Sequence, residues 1–155
     1  LDKPADHSYR LLVLLLQKEV AERIRAKPGE SCFSALSVRI QLMARCRKVC
    51  AVPPSSFEPS PKVFSEVIVL EPLKLDQRLE PLLARRVEGL LKRTFFSRRK
   101  MLRNTLAGLR PLHELEVIAK GAGISLQQRP QEVSPAAWLE LAKSLNPFDV
   151  SVDNL

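Results

Sequence analysis

The segment VPPSSFEPSPKVFSEVIVL, residues 52–70, combines a proline-rich loop with an extended strand. Its four prolines, between Pro53 and Pro61, remove backbone donors and exclude regular secondary structure there. From residue 62 to residue 70 the side chains alternate between two faces, which is the pattern of a β-strand. We therefore predict a strand that is entered through a stiff loop.

The residues before this loop have the pattern of an α/β protein. Residues 11–16 form a short apolar run and predict a buried strand covered on both faces. Helical spacing follows over residues 17–26, and again from Ser31, a candidate N-cap, to about residue 45. Residues 48–52 are a short strand candidate.

Beyond Pro72 there is no further strand signal. Apolar residues at helical spacing predict helices over residues 79–91, 101–109 and 115–119, and a last helix with Ser134 as N-cap and Pro135 at its first position. The predicted fold class is therefore α/β followed by all-α. We place the boundary between the two parts at residues 73 and 74, which gives domains 1–73 and 74–155.

Composition limits the classes of function. The 155 residues carry 25 Lys and Arg against 17 Asp and Glu, a net charge of +8, which favours a polyanionic partner such as nucleic acid. The three cysteines form no Cys-x-x-Cys motif and the two histidines are far apart, so we expect no metal site. The longest apolar run is too short for a membrane helix, and we expect no membrane partner.

Most of the net positive charge lies between residues 76 and 110, a segment that contains ten basic residues and three acidic residues. Arg99 and Arg103 are four apart and predict a shared helix face that neutralises phosphates, with Asn104 adding a polar contact. The alternative is an ordinary solvated face with some ion pairs. Both interpretations stay open on charge alone, and so does binding to DNA rather than RNA.

Phe57 lies in the stiff loop just before the strand. An exposed aromatic ring on a rigid loop is a good stacking surface for a nucleobase. The alternative is a plain connection with Phe57 packed into the core.

Two longer motifs carry a family resemblance. Residues 52–67 follow VPPxxFxPxPKVxSxV at every specified position, and residues 95–106 follow FxxRRKxxRNxL when read from Phe95, or from Phe96 with one residue fewer. Residues 16–21 (LQKEVA), 36–38 (LSV) and 123–141 add weaker matches. In this order the motifs resemble the ribosomal RNA adenine dimethyltransferases of the KsgA type. Macrolide-resistance methyltransferases share the proline loop, but the arginine motif favours the KsgA type.

The resemblance implies the last strands and helices of a class I, Rossmann-like methyltransferase sheet, followed by a small helical domain. It implies transfer of methyl groups from S-adenosylmethionine to the exocyclic amines of two adjacent adenines near the 3′ end of small-subunit ribosomal RNA. Phe57 corresponds to the aromatic residue that stacks on the extruded adenine. The partners implied are small-subunit ribosomal RNA and the assembling small subunit. The cysteine usage separately argues against a disulfide framework and fits a reducing cytoplasm. The residues expected to bind RNA are Pro59, Pro61, Lys62, Arg98, Arg99, Lys100, Arg103 and Asn104.

The cofactor motifs of that family do not occur in this sequence. There is no Gly-rich loop after a strand and no Asn-Leu-Pro-Tyr, and the chain starts at Leu1 rather than Met. We therefore expect the C-terminal portion of such an enzyme, inactive by itself, with the S-adenosylmethionine site on an absent N-terminal half. Residues 11–16 would then be the family's fifth strand, with an open inner edge. The alternative is a non-enzymatic RNA-binding or ribosome-assembly module derived from this fold.

Overall fold

A computed structural model describes residues 9–74 and 77–145 of the chain. Strands and helices mix before residue 73, and the described elements after it are helical, so the predicted order of α/β followed by all-α is confirmed. The domain boundary at residues 73 and 74 stays a prediction. In chain order the elements are β1 (Leu12–Gln17), α1 (Lys18–Arg25), α2 (Ala35–Gln41), β2 (Ala44–Val52), β3 (Ser65–Pro72), α3 (Pro81–Phe96), α4 (Leu102–Thr105), α5 (Leu112–Gly121) and α6 (Pro135–Ser144).

The three strands form one sheet in the order β1-β3-β2, and β3 runs antiparallel to both neighbours. Consequently β1 and β2 run parallel to each other. Ser65, at the start of β3, lies opposite Gln17 and Val52, which are the last residues of β1 and β2. The loop of residues 53–64 therefore lies at the carboxyl end of both parallel strands. This arrangement is consistent with part of a Rossmann-like methyltransferase sheet.

The prediction that β1 is covered on both faces is wrong for the described part of the chain. Leu12, Leu14 and Leu16 pack in the apolar cluster that α1 and α2 share with the sheet. Val13 and Leu15 alternate with them and are 60% and 50% exposed. The reason is that the described helices cover only one face of β1. In the described residues β1 is also an edge strand, paired with β3 alone.

Helix α2 connects two apolar clusters. Leu36 and Ile40 pack against the sheet cluster. Val38 and Leu42 belong instead to the larger cluster of the helical part, which contains the fully buried Trp138. A single short helix therefore ties the sheet to the helices that follow it.

The ends of the helices agree with the sequence in some places and differ in others. Ser134 caps α6 as predicted, because its hydroxyl accepts a hydrogen bond from the Ala137 amide at 3.2 Å. Helix α2 is capped by Ser34 rather than Ser31, in a reciprocal capping box with Ser37. The helix predicted over residues 101–109 is a single turn, α4.

One buried carboxylate joins three elements of the α/β part. Glu66 on β3 is 1% exposed and pairs with Arg25 of α1 and with Lys48 of β2, the latter at 2.9 Å. Burial of Glu66 opposes its ionisation, but the hydrogen bonds and charges of Lys48 and Arg25 outweigh burial and hold the pKa of the carboxyl below its ordinary value. The ionised carboxylate therefore stabilises the packing of α1 on the sheet.

We expect Glu66→Gln to lower the free energy of unfolding at neutral pH by about 1.5–3 kcal/mol, the range for hydrogen bonds to charged groups. Because the pKa of Glu66 is lowered on folding, its contribution is full above the ordinary carboxyl pKa of 4.5 and is lost as the pH falls through the lower folded value. When the free energy of unfolding is measured by denaturant titration between about pH 3 and about pH 7, it should fall less steeply towards acid pH in this variant than in the unaltered chain.

The matched control is Glu71→Gln on the same strand. Glu71 is about half exposed and lies 3.6 Å from Arg47, so its removal should cost less than about 1 kcal/mol. Equal losses in the two variants would contradict the role given to Glu66.

Candidate nucleic-acid interface

The proline loop is stabilised by hydrogen bonds between its own residues. It begins with a one-turn 3-10 helix, Pro54–Ser56, and the carbonyl of Pro54 accepts hydrogen bonds from the Phe57 amide at 3.2 Å and from the Ser60 hydroxyl at 2.9 Å. Phe57 is partly buried, yet it belongs to neither of the two apolar clusters. The alternative in which Phe57 packs into the core is therefore not supported.

The other predicted residues of this loop are exposed. Pro59, Pro61 and Lys62 all face solvent, and the loop closes where the Lys18 amide donates to the Phe64 carbonyl at 2.9 Å. The loop lies at the carboxyl end of β1 and β2, and α/β sheets bind their ligands at that end of their parallel strands. The predicted loop residues thus share the edge of the sheet where a ligand is expected.

Several basic residues of the helical part hold the fold together instead of facing a partner. Arg86 donates to the Ala142 and Leu145 carbonyls at 3.3 Å, at the end of α6. Arg93 donates to two carbonyls at the end of α4, each at 2.7 Å. Helix carboxyl ends leave carbonyls without intrahelical donors, and a guanidinium satisfies them with a favourable charge.

Arg98 also has an internal partner. Its guanidinium donates to the Ser31 carbonyl at 2.7 Å, which ties the turn after α3 to the loop between α1 and α2. Arg98 is therefore part of the scaffold that holds the residues expected to bind RNA.

Around the end of α3, four cations are exposed, and their side chains make no hydrogen bond or ion pair with any described residue: Lys92, Arg99, Lys100 and Arg103. They lie near the end of α3, in the turn of residues 97–100 and on α4. We name this group the free basic surface. It is a part of the basic segment that is available to phosphates.

The prediction that Arg99 and Arg103 share one helix face is wrong. Helix α3 ends before Arg99, and a separate helix, α4, carries Arg103. The break has a physical cause, because the amides of Leu102 and Arg103 donate to the carbonyls of Gln128 and Leu126 at 2.8 Å instead of to a preceding helical turn. Both arginines remain exposed, on separate elements.

A cleft of about 450 Å³ lies where the end of α3 meets α4. Lys100 and Asn104, both expected to bind RNA, line it together with Lys92 and Phe96, which were not among the predicted site residues. A signal was available in the sequence, because Phe96 lies off the apolar stripe of α3 and between lysines. The neighbouring Phe95 instead packs against the core.

The described residues contain no group of three or more His, Cys, Asp and Glu side chains arranged to hold a metal ion. Burial is the main reason that the pKa of the Cys46 thiol is raised, which keeps the thiol protonated near neutral pH. Within the described ranges, no helix is both long and apolar enough to cross a membrane.

Comparison with known proteins gives consistent matches along the chain. The family profile described as ribosomal RNA adenine dimethylase matches residues 5–147. A protein named ribosomal RNA small subunit methyltransferase A from Prochlorococcus marinus (strain MIT 9313) is 68% identical over 150 residues, which are 97% of this chain and 54% of that protein. A protein of the same name from Synechococcus sp. (strain WH7803) is 63% identical over 155 residues, 100% of this chain and 55% of that protein. The chain thus spans about half the length of these relatives.

Two solved structures have a similar fold. A dimethyladenosine transferase from Plasmodium falciparum superposes with a TM-score of 0.68 at 28% identity, over 86% of this chain and 56% of that one. The 23S rRNA methyltransferase ErmE superposes with a TM-score of 0.64 at 23% identity, over 88% of this chain and 55% of that one, and this similarity concerns the fold.

Three observations indicate the same family: the proline loop at the carboxyl edge of the sheet, the arginine motif after α3 and the profile match over residues 5–147. This chain belongs to the ribosomal RNA adenine dimethylase family.

Proposed function

We propose that this chain is the RNA-binding portion of an S-adenosylmethionine-dependent ribosomal RNA adenine dimethyltransferase. The reaction would methylate the exocyclic amines of two adjacent adenines near the 3′ end of small-subunit ribosomal RNA, in the cytoplasm, during assembly of the small subunit. The observation that carries this proposal is the family match over residues 5–147. The domains would be residues 1–73, part of the methyltransferase sheet, and residues 74–155, a helical RNA-binding domain.

The family resemblance and the positions of the site residues support the following roles. Phe57 would stack on the target adenine, with Pro59, Pro61 and Lys62 shaping the same loop. The free basic surface would contact RNA phosphates, and Asn104 a backbone or base edge. Arg98 would act chiefly by fixing the turn of residues 97–100, since its guanidinium is already hydrogen-bonded.

The S-adenosylmethionine site would lie outside this chain. The five glycines occur at positions 29, 89, 108, 121 and 123. None of these positions comes directly after one of the three described strands, which end at Gln17, Val52 and Pro72. A nucleoside cofactor on this kind of sheet needs a close approach of the backbone, which glycine after a strand provides. When bound, S-adenosylmethionine would supply the methyl group, while Phe57 and the proline loop would hold the target base.

We therefore expect no binding heat when S-adenosylmethionine is titrated calorimetrically into the 155-residue chain. Binding in the micromolar range would contradict the placement of the cofactor site.

Sequencing the gene upstream of the codon for Leu1 separates the enzyme portion from the alternative, a non-enzymatic RNA-binding or ribosome-assembly module. A continuous frame that encodes a Gly-rich loop and Asn-Leu-Pro-Tyr supports the enzyme, and a frame without them supports the module.

The free basic surface should give salt-dependent binding to a hairpin from the 3′ region of small-subunit ribosomal RNA. We expect the double variant Arg99→Ala and Arg103→Ala to bind more weakly. The slope of log K against log salt should become shallower by about 0.7–0.9 for each phosphate contact that is lost. Fluorescence anisotropy at several salt concentrations measures both quantities.

A matched control removes the same charge elsewhere. Arg45 lies at the start of β2, at the strand end opposite the proline loop, and Lys120 lies near the end of α5. The double variant Arg45→Ala and Lys120→Ala should leave the slope nearly unchanged. Equal effects from both pairs would indicate a response to net charge alone and would remove Arg99 and Arg103 from the interface.

Phe57→Ala should weaken binding to a hairpin with unpaired adenines by about 5- to 150-fold, the range for stacking of one base on an aromatic side chain. Phe57→Tyr keeps the aromatic face and should restore most of the affinity. The control is Phe64→Ala, because Phe64 is an exposed aromatic residue at the end of the same loop and is not assigned to the site. A loss from Phe64→Ala as large as that from Phe57→Ala would argue against specific stacking.

A further inference from the structure

The cleft where α3 meets α4 has a composition that the fold itself does not explain. It measures about 450 Å³, within the range of small-ligand sites. Its lining combines an aromatic ring, three cationic side chains and short polar groups, namely Phe96, Lys92, Arg93, Lys100, Ser97, Asn104 and Thr105. Of the three cations, Arg93 is already hydrogen-bonded to the Thr105 and Ala107 carbonyls.

Phe96 supplies the aromatic surface of this cleft and is 93% exposed. The neighbouring Phe95 already fills the core position at this end of α3, beside Trp138, with the two ring centroids 6.2 Å apart. Phe96 therefore contributes little to the packing of the described residues. A highly exposed aromatic ring at a charged cleft is suited to contact with a flat, polar ligand.

The charges beside the ring are positive and available. Lys92 precedes Phe96 by four residues on α3, so the two side chains lie on the same helix face. Lys100 follows in the turn of residues 97–100, and neither lysine pairs through its side chain with a described residue. Two ammonium groups next to an aromatic face are complementary to a ligand that joins phosphates to a planar base.

Helix α4 contributes hydrogen-bonding groups to the cleft. Asn104 is exposed and lines the cleft. Its side-chain amide can donate hydrogen bonds to the edge of a base and can also accept one from it. Helix α4 is held in place, because Arg93 donates to the Thr105 and Ala107 carbonyls and the Arg103 amide donates to the Leu126 carbonyl. A preorganised site lowers the entropic cost of binding.

We propose that this cleft binds one unpaired RNA nucleotide, with the base stacked on Phe96, the flanking phosphates near Lys92 and Lys100, and the base edge at Asn104. A base inside a duplex does not expose its face, so the ligand is single-stranded RNA and not a helix. The inference rests on the proposed function, in that the ligand is RNA, and it adds a second aromatic contact besides Phe57.

The test compares Phe96→Ala, Phe96→Leu and Phe96→Trp on two probes, a single-stranded oligouridylate and an RNA duplex with the same number of phosphates. We expect Phe96→Ala and Phe96→Leu to weaken binding of the oligouridylate by about 5-fold or more, and Phe96→Trp to retain it. Because Phe96 carries no charge, the salt dependence should stay unchanged. Affinity for the duplex should also stay unchanged.

The tryptophan variant gives a direct signal. Trp138 is fully buried, so its fluorescence is a constant background, and stacking of a base on the indole introduced by Phe96→Trp should quench the added emission. The matched control is Val117→Ala on α5, which truncates another exposed apolar side chain, 72% exposed, outside the cleft. This control should bind the oligouridylate like the unaltered chain.

The outcomes separate this inference from the proposed function. If the unaltered chain binds RNA with a salt slope that depends on Arg99 and Arg103, but Phe96→Ala binds the oligouridylate normally, the nucleotide site is overturned and the proposed function stands. Equal losses on duplex and single strand, or no quenching with Phe96→Trp, also overturn the nucleotide site. If the chain binds the ribosomal hairpin but not the oligouridylate, the nucleotide site is overturned and the proposed function stands. If it binds neither the hairpin nor the oligouridylate, both proposals fail.

Discussion

Helix α2 is buried on two sides, and this constraint orients the sheet and the later helices relative to each other. Its seven residues place Leu36 and Ile40 against the sheet, and Val38 lies in the helical cluster together with Leu42, which follows the helix. A helix that is apolar on more than one side must be covered on more than one side. The relation of the proline loop to the free basic surface therefore depends on this short element.

Buried polar contacts complete the scaffold in each part. In the sheet, Glu66 is ionised between Arg25 and Lys48, which joins α1 to β2 and β3. In the helical part, arginines donate to carbonyls at the ends of α4 and α6. Since a buried polar group without a partner is costly, these contacts favour one arrangement of the elements over others. The elements that carry the exposed groups of the candidate interface are thereby held in place by contacts inside the chain.

The basic segment shows why a charge count overstates a binding surface. Ten basic residues lie between residues 76 and 110, but Arg78, Arg86, Arg93 and Arg98 donate to carbonyls of the chain. The four cations of the free basic surface lie around the break between α3 and α4. That break places Asn104 and Thr105 of α4 in one cleft with Lys92, Phe96 and Lys100.

The order of the elements, the strand after the proline loop, the Ser134 cap and the family can be read from the amino-acid sequence alone, because local hydrogen bonding, periodicity and motifs carry that information. Which face of β1 is covered could not be read in this way, since it depends on helices that pack from elsewhere in the chain. The same holds for the separation of Arg99 and Arg103 onto different elements. The physical reason is that the groups concerned, such as the Leu102 amide and the Gln128 carbonyl, meet only when the helices pack together.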